Sequence, residues 1–370
     1  MLWGPVVPAP TRNLQLPPQL SRRAVVVGAG SFGTAVAVLL ARGGLRTTLQ
    51  TRTPEQAAQL IATHVNETYL PNVELPQTLR IESLDAGLAR ADYVFLGVPS
   101  VGLRELIAAL PERGLRPKTP IISLAKGLVG PEGSPPTLVL NEQFGAKRVA
   151  CVGGPSHAQE MVTAGAGLVA ASANEDLAQT IAGVFIRAGV VCEESNDPVG
   201  VELSGAAKNA AALAAGATQA QGLNAAGAAA GHIFAEVWRF AAQLGARPES
   251  MVGLAGTGDL VATVLAPGSR NRRAGELLAA GVRGEDIPAR VGQAVESLET
   301  VPLLARALQR AQVEAPVTTG LSRLISGDLP LDDWVALVRT TVPPRARWRE
   351  RRAGVWDRMR DRVTRRDHDA

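Results

Sequence analysis

Two cysteines, Cys151 and Cys192, in 370 residues leave no material for a disulfide framework or a Cys-rich metal site. Histidine is equally scarce. His64, His157, His232 and His368 lie far apart without ligand spacing, so no metal centre is expected. No apolar run approaches the ~20 residues of a membrane span. The alanine-rich stretch 206–220 is interrupted by Lys208, Asn209 and Gln219, and no integral membrane segment is expected. The first twenty residues lack a basic start followed by an apolar core, and they carry Pro5, Pro8, Pro10, Pro17 and Pro18, which is not the pattern of a signal peptide. A strong charge bias is also missing. The formal net charge is +4, with much of the basic excess in the Arg-rich stretch 343–370, so the body is near neutral and no nucleic-acid partner is expected. These absences together describe a cytoplasmic protein with a ragged N-terminal extension.

What is present is apolar bulk, 46% of the residues, enough for a sizeable core at a length that suggests two domains. The chain is organised around Gly28-Ala29-Gly30-Ser31-Phe32-Gly33. A short β-branched run, Ala24–Val27, precedes it, and a helix of small and aliphatic residues, Thr34–Arg42, follows. In that context G-x-G-x-x-G reads as a dinucleotide-binding turn. Gly28 permits the turn, Gly30 lets backbone approach a pyrophosphate, Gly33 lets helix and strand pack, and the helix N-terminus offers N–H groups to phosphate. The strand at Thr47–Gln50 should end in the acid that holds a ribose 2′-hydroxyl, but Thr51-Arg52-Thr53 follows instead. Arg52 could pair with a 2′-phosphate; a solvated loop arginine is the plainer alternative.

Further strands are expected at 91–100, 119–125, 148–152, 168–171 and 190–193. Their continuous apolarity fits parallel strands buried on both faces. Lys126-Gly127 ends one of them, where a lysine either reaches a bound anion or simply lies on a surface loop. Gly153-Gly154-Pro155-Ser156-His157 ends another. The pattern changes at Asn196-Asp197-Pro198, a helix start with Asp197 as N-cap. One long helix is expected over 199–221, and only helices after it, at 225–244, 259–265, 271–280 and 291–311. The fold class is therefore α/β, a Rossmann-type N-terminal domain with a mostly parallel sheet (22–196), followed by an all-α domain (197–342). Residues 1–21 form the extension and 343–370 a basic tail. In that tail Val355, Trp356, Met359 and Val363 could form an apolar stripe, and the tail is expected to be dispensable for chemistry.

Lys208 sits in the long helix among Ser204, Gly205, Ala211 and Ala212, with no acid three or four residues away. Either it is an ordinary exposed lysine, or it packs closely and needs a partner or a shifted pKa. Gly256-Thr257-Gly258-Asp259-Leu260 offers two readings of Asp259, a plain helix N-cap or a carboxylate facing Lys208, with Thr263 on the same face. Ser269-Arg270-Asn271-Arg272-Arg273 opens a helix with a hydroxyl, a guanidinium and an amide, a good phosphate site or a solvated basic run. Gln293–Glu296 says little by itself.

Taken together, GAGSFGTA at 28–35, Asn66–Pro71 as NETYLP, Val98-Pro99-Ser100, Lys126-Gly127, Gly154-Pro155-Ser156, GVELSGAAKN at 200–209, Gly258-Asp259-Leu260, Ser269-Arg270-Asn271 and Gln293–Glu296 resemble the bacterial type of the NAD(P)-dependent sn-glycerol-3-phosphate dehydrogenase family over roughly 22–335. The resemblance implies that Lys208 is the general acid/base. It implies substrate contacts from Lys126, Gly154, Ser156, Lys208, Asp259, Ser269, Arg270 and Asn271. It implies that Gly28, Gly30, Ser31, Phe32, Gly33, Arg52, Lys126, Ala158, Arg270, Ala294 and Glu296 contact NADP(H) or NAD(H), with a lean to NADPH. The implied reaction is reversible reduction of dihydroxyacetone phosphate for glycerophospholipid synthesis. Departures stand at Phe32, Gln50 and Thr257, and at Gly231-His232, where the family carries a Thr-Arg pair. Expected partners are a small phosphorylated substrate and at most a second copy of the chain. The rival readings are a related two-domain 3-hydroxy acid dehydrogenase and a catalytically weak nucleotide sensor.

Overall fold

The computed structural model describes residues 22–342; the proline-rich start and the basic tail with its apolar stripe lie outside them. The first half alternates strand and helix. In chain order it runs β1 (Arg23–Val27), α1 (Ser31–Arg42), β2 (Arg46–Thr51), α2 (Pro54–Thr63), β3 (Val65–Asn66), β4 (Leu70–Glu74), β5 (Arg80–Ser83), β6 (Tyr93–Leu96), α3 (Ser100–Ala109), β7 (Ile121–Ser123), α4 (Pro136–Phe144), β8 (Val149–Gly153), α5 (Ala158–Thr163), β9 (Gly167–Ser172), α6 (Glu175–Arg187) and β10 (Val191–Ser195). Eight strands form one sheet in the order β10-β9-β8-β7-β6-β1-β2-β5. Every neighbouring pair is parallel except β8–β9. All four residues of β6 are buried, as a central strand covered on both faces requires.

The glycine turn joins β1 to α1 at the sheet's centre. Gly28 has φ +111°, and a Cβ added there would stand 2.6 Å from the Gly97 carbonyl oxygen. A Cβ on Gly33 would run into the Gly28 carbonyl, whereas one on Gly30 would meet nothing within 4 Å. Two of the glycines are thus needed for packing, and the third leaves open space. Asn66, from the small antiparallel β3–β4 pair, braces the turn with its side-chain amide, which donates to Ala29 O (3.0 Å) and Thr34 Oγ1 (2.9 Å). Because the turn closes so tightly, α1 begins at Ser31 rather than at Thr34 as the residue pattern suggests.

The second half is helical: α7 (Pro198–Thr218), α8 (Leu223–Gln243), α9 (Pro248–Val252), α10 (Asp259–Leu265), α11 (Arg270–Ala279), α12 (Ile287–Val291), α13 (Glu296–Arg310), α14 (Pro316–Ser326) and α15 (Leu331–Thr340). Asp197 does cap α7, its Oδ1 accepting from Gly200 N at 2.8 Å. From Gly200 to Thr218 every residue of α7 is buried. Its small residues allow that. A Cβ on Gly216 would collide with the Arg272 carbonyl oxygen, and one on Gly275 with that of Leu213, so α7 and α11 meet backbone to backbone. Around them lies an apolar core that includes Leu203, Leu213, Ile233, Leu304 and Trp334, the last donating from Nε1 to Val317 O at 3.0 Å.

The single helix expected over 291–311 is two helices. Gly292 takes φ +76° and ends α12 in the left-handed conformation, and α13 starts only at Glu296. The described residues up to Arg339 form one compact unit in which α7 packs on both the sheet and the other helices; Thr340 begins a second unit, described only to Val342. Among the described residues no single helix is long and apolar enough to cross a membrane, and no group of three or more His, Cys, Asp or Glu could hold a metal ion.

Candidate active site

Lys208 is 7% exposed, deep in α7, so the exposed-lysine alternative is excluded. Its Nζ lies 3.4 Å from Asp259 Oδ1 and donates to Thr263 Oγ1 at 3.2 Å. The other oxygen of Asp259 takes Lys126, whose Nζ donates to Oδ2 at 3.1 Å. Lys126 also donates to Ser156 Oγ at 2.5 Å and to Gly154 O at 3.0 Å, and its ammonium stands 5.1 Å from the centre of the Phe32 ring. Asp259 is the first residue of α10, after a π-helical turn at Leu254–Gly258, and it caps no helix with its side chain. The N-cap reading of Asp259 is therefore corrected: its oxygens face lysines.

Burial sets the electrostatics. It pulls Lys208 below the ordinary lysine value; Asp259 opposes that shift and Lys126 adds to it. Burial alone would raise Asp259, but the two ammonium groups outweigh it and hold the carboxyl below its usual range. The cluster is one buried anion shared by two buried cations, at the C-terminal edge of the sheet and the base of the helices.

A second network ties the halves together. Asn209 Nδ2 donates to Lys126 O (3.1 Å) and to Glu296 Oε2 (3.0 Å), and its Oδ1 accepts from Asn271 Nδ2 (2.8 Å). Asn271 Oδ1 in turn accepts from Ser297 N at 3.2 Å. Ser269 is buried and caps α11, accepting from Arg272 N at 3.3 Å. Arg270 is exposed and donates to Ala294 O at 2.9 Å. Arg52 is exposed just after β2, where its backbone N–H donates to Gln56 Oε1 at 3.3 Å; it has no hydrogen bond or ion pair with the lysine cluster. Gln50, buried beside it, donates to Ala86 O and accepts from Arg113. Ser31 opens α1 and Ala158 opens α5. At the departure in α8, Gly231 is exposed, with nothing within 4 Å of an added Cβ.

The structure thus brings together Lys126, Gly154, Ser156, Lys208 and Asp259, with Asn271 and Glu296 joined to them through Asn209. Three residues outside the expected set belong to the arrangement: Asn209, Thr263 and Glu202. Glu202 is buried and accepts from Thr137 N (2.9 and 3.1 Å to its two oxygens) and Thr137 Oγ1 (2.6 Å). Burial pushes its carboxyl up to about 8, against the pull of the Thr137 bonds. The available signal was its spacing, since residues 202, 205 and 209 share one stripe of α7.

Residues 23–178 match the family model for the NAD-dependent glycerol-3-phosphate dehydrogenase N-terminus, and residues 197–336 match that for the C-terminus. The chain belongs to this family. It is 37% identical over 338 residues to a glycerol-3-phosphate dehydrogenase [NAD(P)+] of Moorella thermoacetica, covering 90% of this chain and 98% of that one. With the Deinococcus radiodurans protein of the same name it shares 38% over 313 residues, 82% and 90% of the two chains. A solved glycerol-3-phosphate dehydrogenase from Coxiella burnetii superposes with a TM-score of 0.81 at 30% identity, over 86% of this chain and 99% of that one. The family's two modules meet near the start of α7, the helix that carries Lys208.

Proposed function

We propose that this dehydrogenase reversibly reduces dihydroxyacetone phosphate to sn-glycerol 3-phosphate, using NADPH or NADH, and so supplies the backbone of glycerophospholipids. The observation that carries the reading is the pair Lys208 and Lys126 on Asp259, a buried proton donor beside a second ammonium. The glycine turn fits a dinucleotide. Gly30 leaves open space, and α1 has no side-chain cap on its first N–H groups, which remain available to a pyrophosphate. Gly28, Gly30, Ser31, Phe32 and Gly33 would hold the cofactor there, with Arg52 toward a 2′-phosphate and Ala158, Ala294 and Glu296 on the facing side. When bound, the nicotinamide supplies the hydride.

The chain's own residues do the rest. Lys208, as an ammonium, hydrogen-bonds the carbonyl oxygen and transfers its proton as negative charge grows there. It is left as a neutral amine that Asp259 and Thr263 keep in place. In the oxidative direction the same amine takes the hydroxyl proton. Lys126, Gly154 and Ser156 orient the substrate. Arg270, at the N-terminus of α11 with Ser269 and Asn271, holds the phosphate. The basic run at 269–273 favours a phosphate over the bare carboxylate of a 3-hydroxy acid.

The test follows loss of NADPH absorbance with dihydroxyacetone phosphate and, separately, with a 3-oxo acid. Turnover of the phosphate ester alone supports the reading. Turnover of the oxo acid alone, or of neither, overturns it.

A further inference from the structure

The segment 124–135 leaves β7, carries Lys126, and re-enters the fold as α4. Helix α7 grips it at both ends. Glu202, Gly205 and Asn209, at i, i+3 and i+7, form one stripe of α7. Asn209 donates to the carbonyl of Lys126 itself, at 3.1 Å. At Gly205 an added Cβ would stand 3.9 Å from Lys126 Cα, so helix and loop are in contact with no side chain between them. Glu202 takes the far end, accepting from the amide and hydroxyl of Thr137 in the first turn of α4. Helix α4 begins at Pro135-Pro136 and has no side-chain cap of its own, so Glu202 caps it from another helix. Glu202 also lines one small cavity together with Lys126, Gly154, Gly205 and Asp259.

We propose that Glu202 is a positioning residue for Lys126: by anchoring the start of α4 to α7 it fixes the loop that sets the Lys126 ammonium on Asp259. The inference rests on the assignment of Lys126 to the active site made above. The fold supplies its own control. Glu236 of α8 caps α14 in the same manner, accepting from Val317 N, Thr318 N and Thr318 Oγ1, and it makes none of the bonds around Lys126.

The experiment is a double-mutant cycle in steady-state kinetics, with thermal melts on each protein. Glu202→Ala should lower kcat/KM on the order of 10²-fold in the otherwise native enzyme, the cost of a substrate-orienting group displaced by about 1 Å. In a Lys126→Met background the same change should alter kcat/KM by no more than about twofold, because the residue it positions is gone. Glu202→Gln should retain most activity, since its amide can accept from Thr137 N and donate to Thr137 Oγ1. Glu236→Ala should lower the melting temperature and change kcat/KM by the same factor in both backgrounds. If Glu202→Ala fails to fold, Thr137→Val, which exchanges only the hydroxyl for a methyl, replaces it in the same cycle. An equal loss from the Glu202 or Thr137 variant in both backgrounds overturns the proposal. Native turnover by Lys126→Met alone is a separate result, visible before any Glu202 variant is made, and it would remove Lys126 from the site.

Discussion

Lys208 reaches Asp259 from within α7 with Nζ 3.4 Å from Oδ1, and the carboxylate's second oxygen is already held by Lys126. Removing Lys208 therefore does not strand a bare buried carboxylate, the usual reason that breaking a buried ion pair unfolds a protein. Lys208→Met keeps most of the stem and should fold. Its kcat should fall by ~10²–10⁴-fold, the usual contribution of a positioned acid/base group. NADPH affinity should hardly change, because the glycine turn is untouched. Steady-state kinetics with an NADPH titration checks both, and a near-native kcat would remove Lys208 from the mechanism.

The pH profile should move with Asp259. Reduction needs the Lys208 ammonium, so reductive kcat falls as pH rises through the lowered lysine value. Asp259 opposes that lowering. In Asp259→Asn the opposing charge is lost, the lysine value drops further, and the falling limb shifts to lower pH. Oxidation of sn-glycerol 3-phosphate needs the free amine and should rise over the same range. A reductive limb that stays in place in Asp259→Asn contradicts this assignment.

Arg52 is exposed beyond the end of β2, and no acid stands where a 2′-hydroxyl would be read. Arg52→Asp replaces attraction with repulsion toward a 2′-phosphate, so it should weaken NADPH binding more than NADH binding. Dissociation constants for both cofactors decide the matter; equal losses would mean that Arg52 does not read that phosphate.

Glu202 makes stability depend on pH in a stated direction. Its folded value, about 8, lies above the ordinary 4.5. The stability contributed by the neutral acid is complete below about 4.5 and is lost as pH rises through about 8. Glu202→Gln cannot ionise and escapes this loss. Its melting temperature should therefore improve relative to the native protein between pH 5 and pH 8. A gap that does not change with pH would show that Glu202 does not titrate in this window.

The strand–glycine–helix unit was legible because its signal is local: Ala24–Val27 and Gly28–Gly33 carry their own geometry. The Asp197 cap and the start of α10 at Asp259 were legible for the same reason. The break was missed: Gly292 ends α12 in the left-handed conformation, and the non-helical residues up to the extended Val295 separate it from α13, a backbone change with no marked signal in the residues around it. Of the lysine cluster, the residues themselves offered Asp259 facing Lys208 as one of two readings, and Lys126 joined them only by family likeness. Lys126, Lys208 and Asp259 lie on three separate elements, and no spacing along the chain encodes their meeting. Asn271 also bonds Asn209 and Ser297 through its side-chain amide, a link between helices that is invisible before they are packed. Glu202 went unread because its partner, Thr137, belongs to the other half of the molecule.

The backbone contact of α7 with α11 at Gly216 and Gly275 has a consequence for selectivity. Lys208 stands two turns before the first glycine, and Arg270 opens the helix that holds the second. Neither helix can draw closer without carbonyl oxygens meeting Cα atoms, and neither presents a flexible side chain at the crossing that could give way. On the proposed assignment of Lys208 to the carbonyl and Arg270 to the phosphate, this contact fixes the spacing of the two helix backbones that carry them. Under that assignment a substrate one methylene longer should bind less well, because the two backbones cannot shift to fit it.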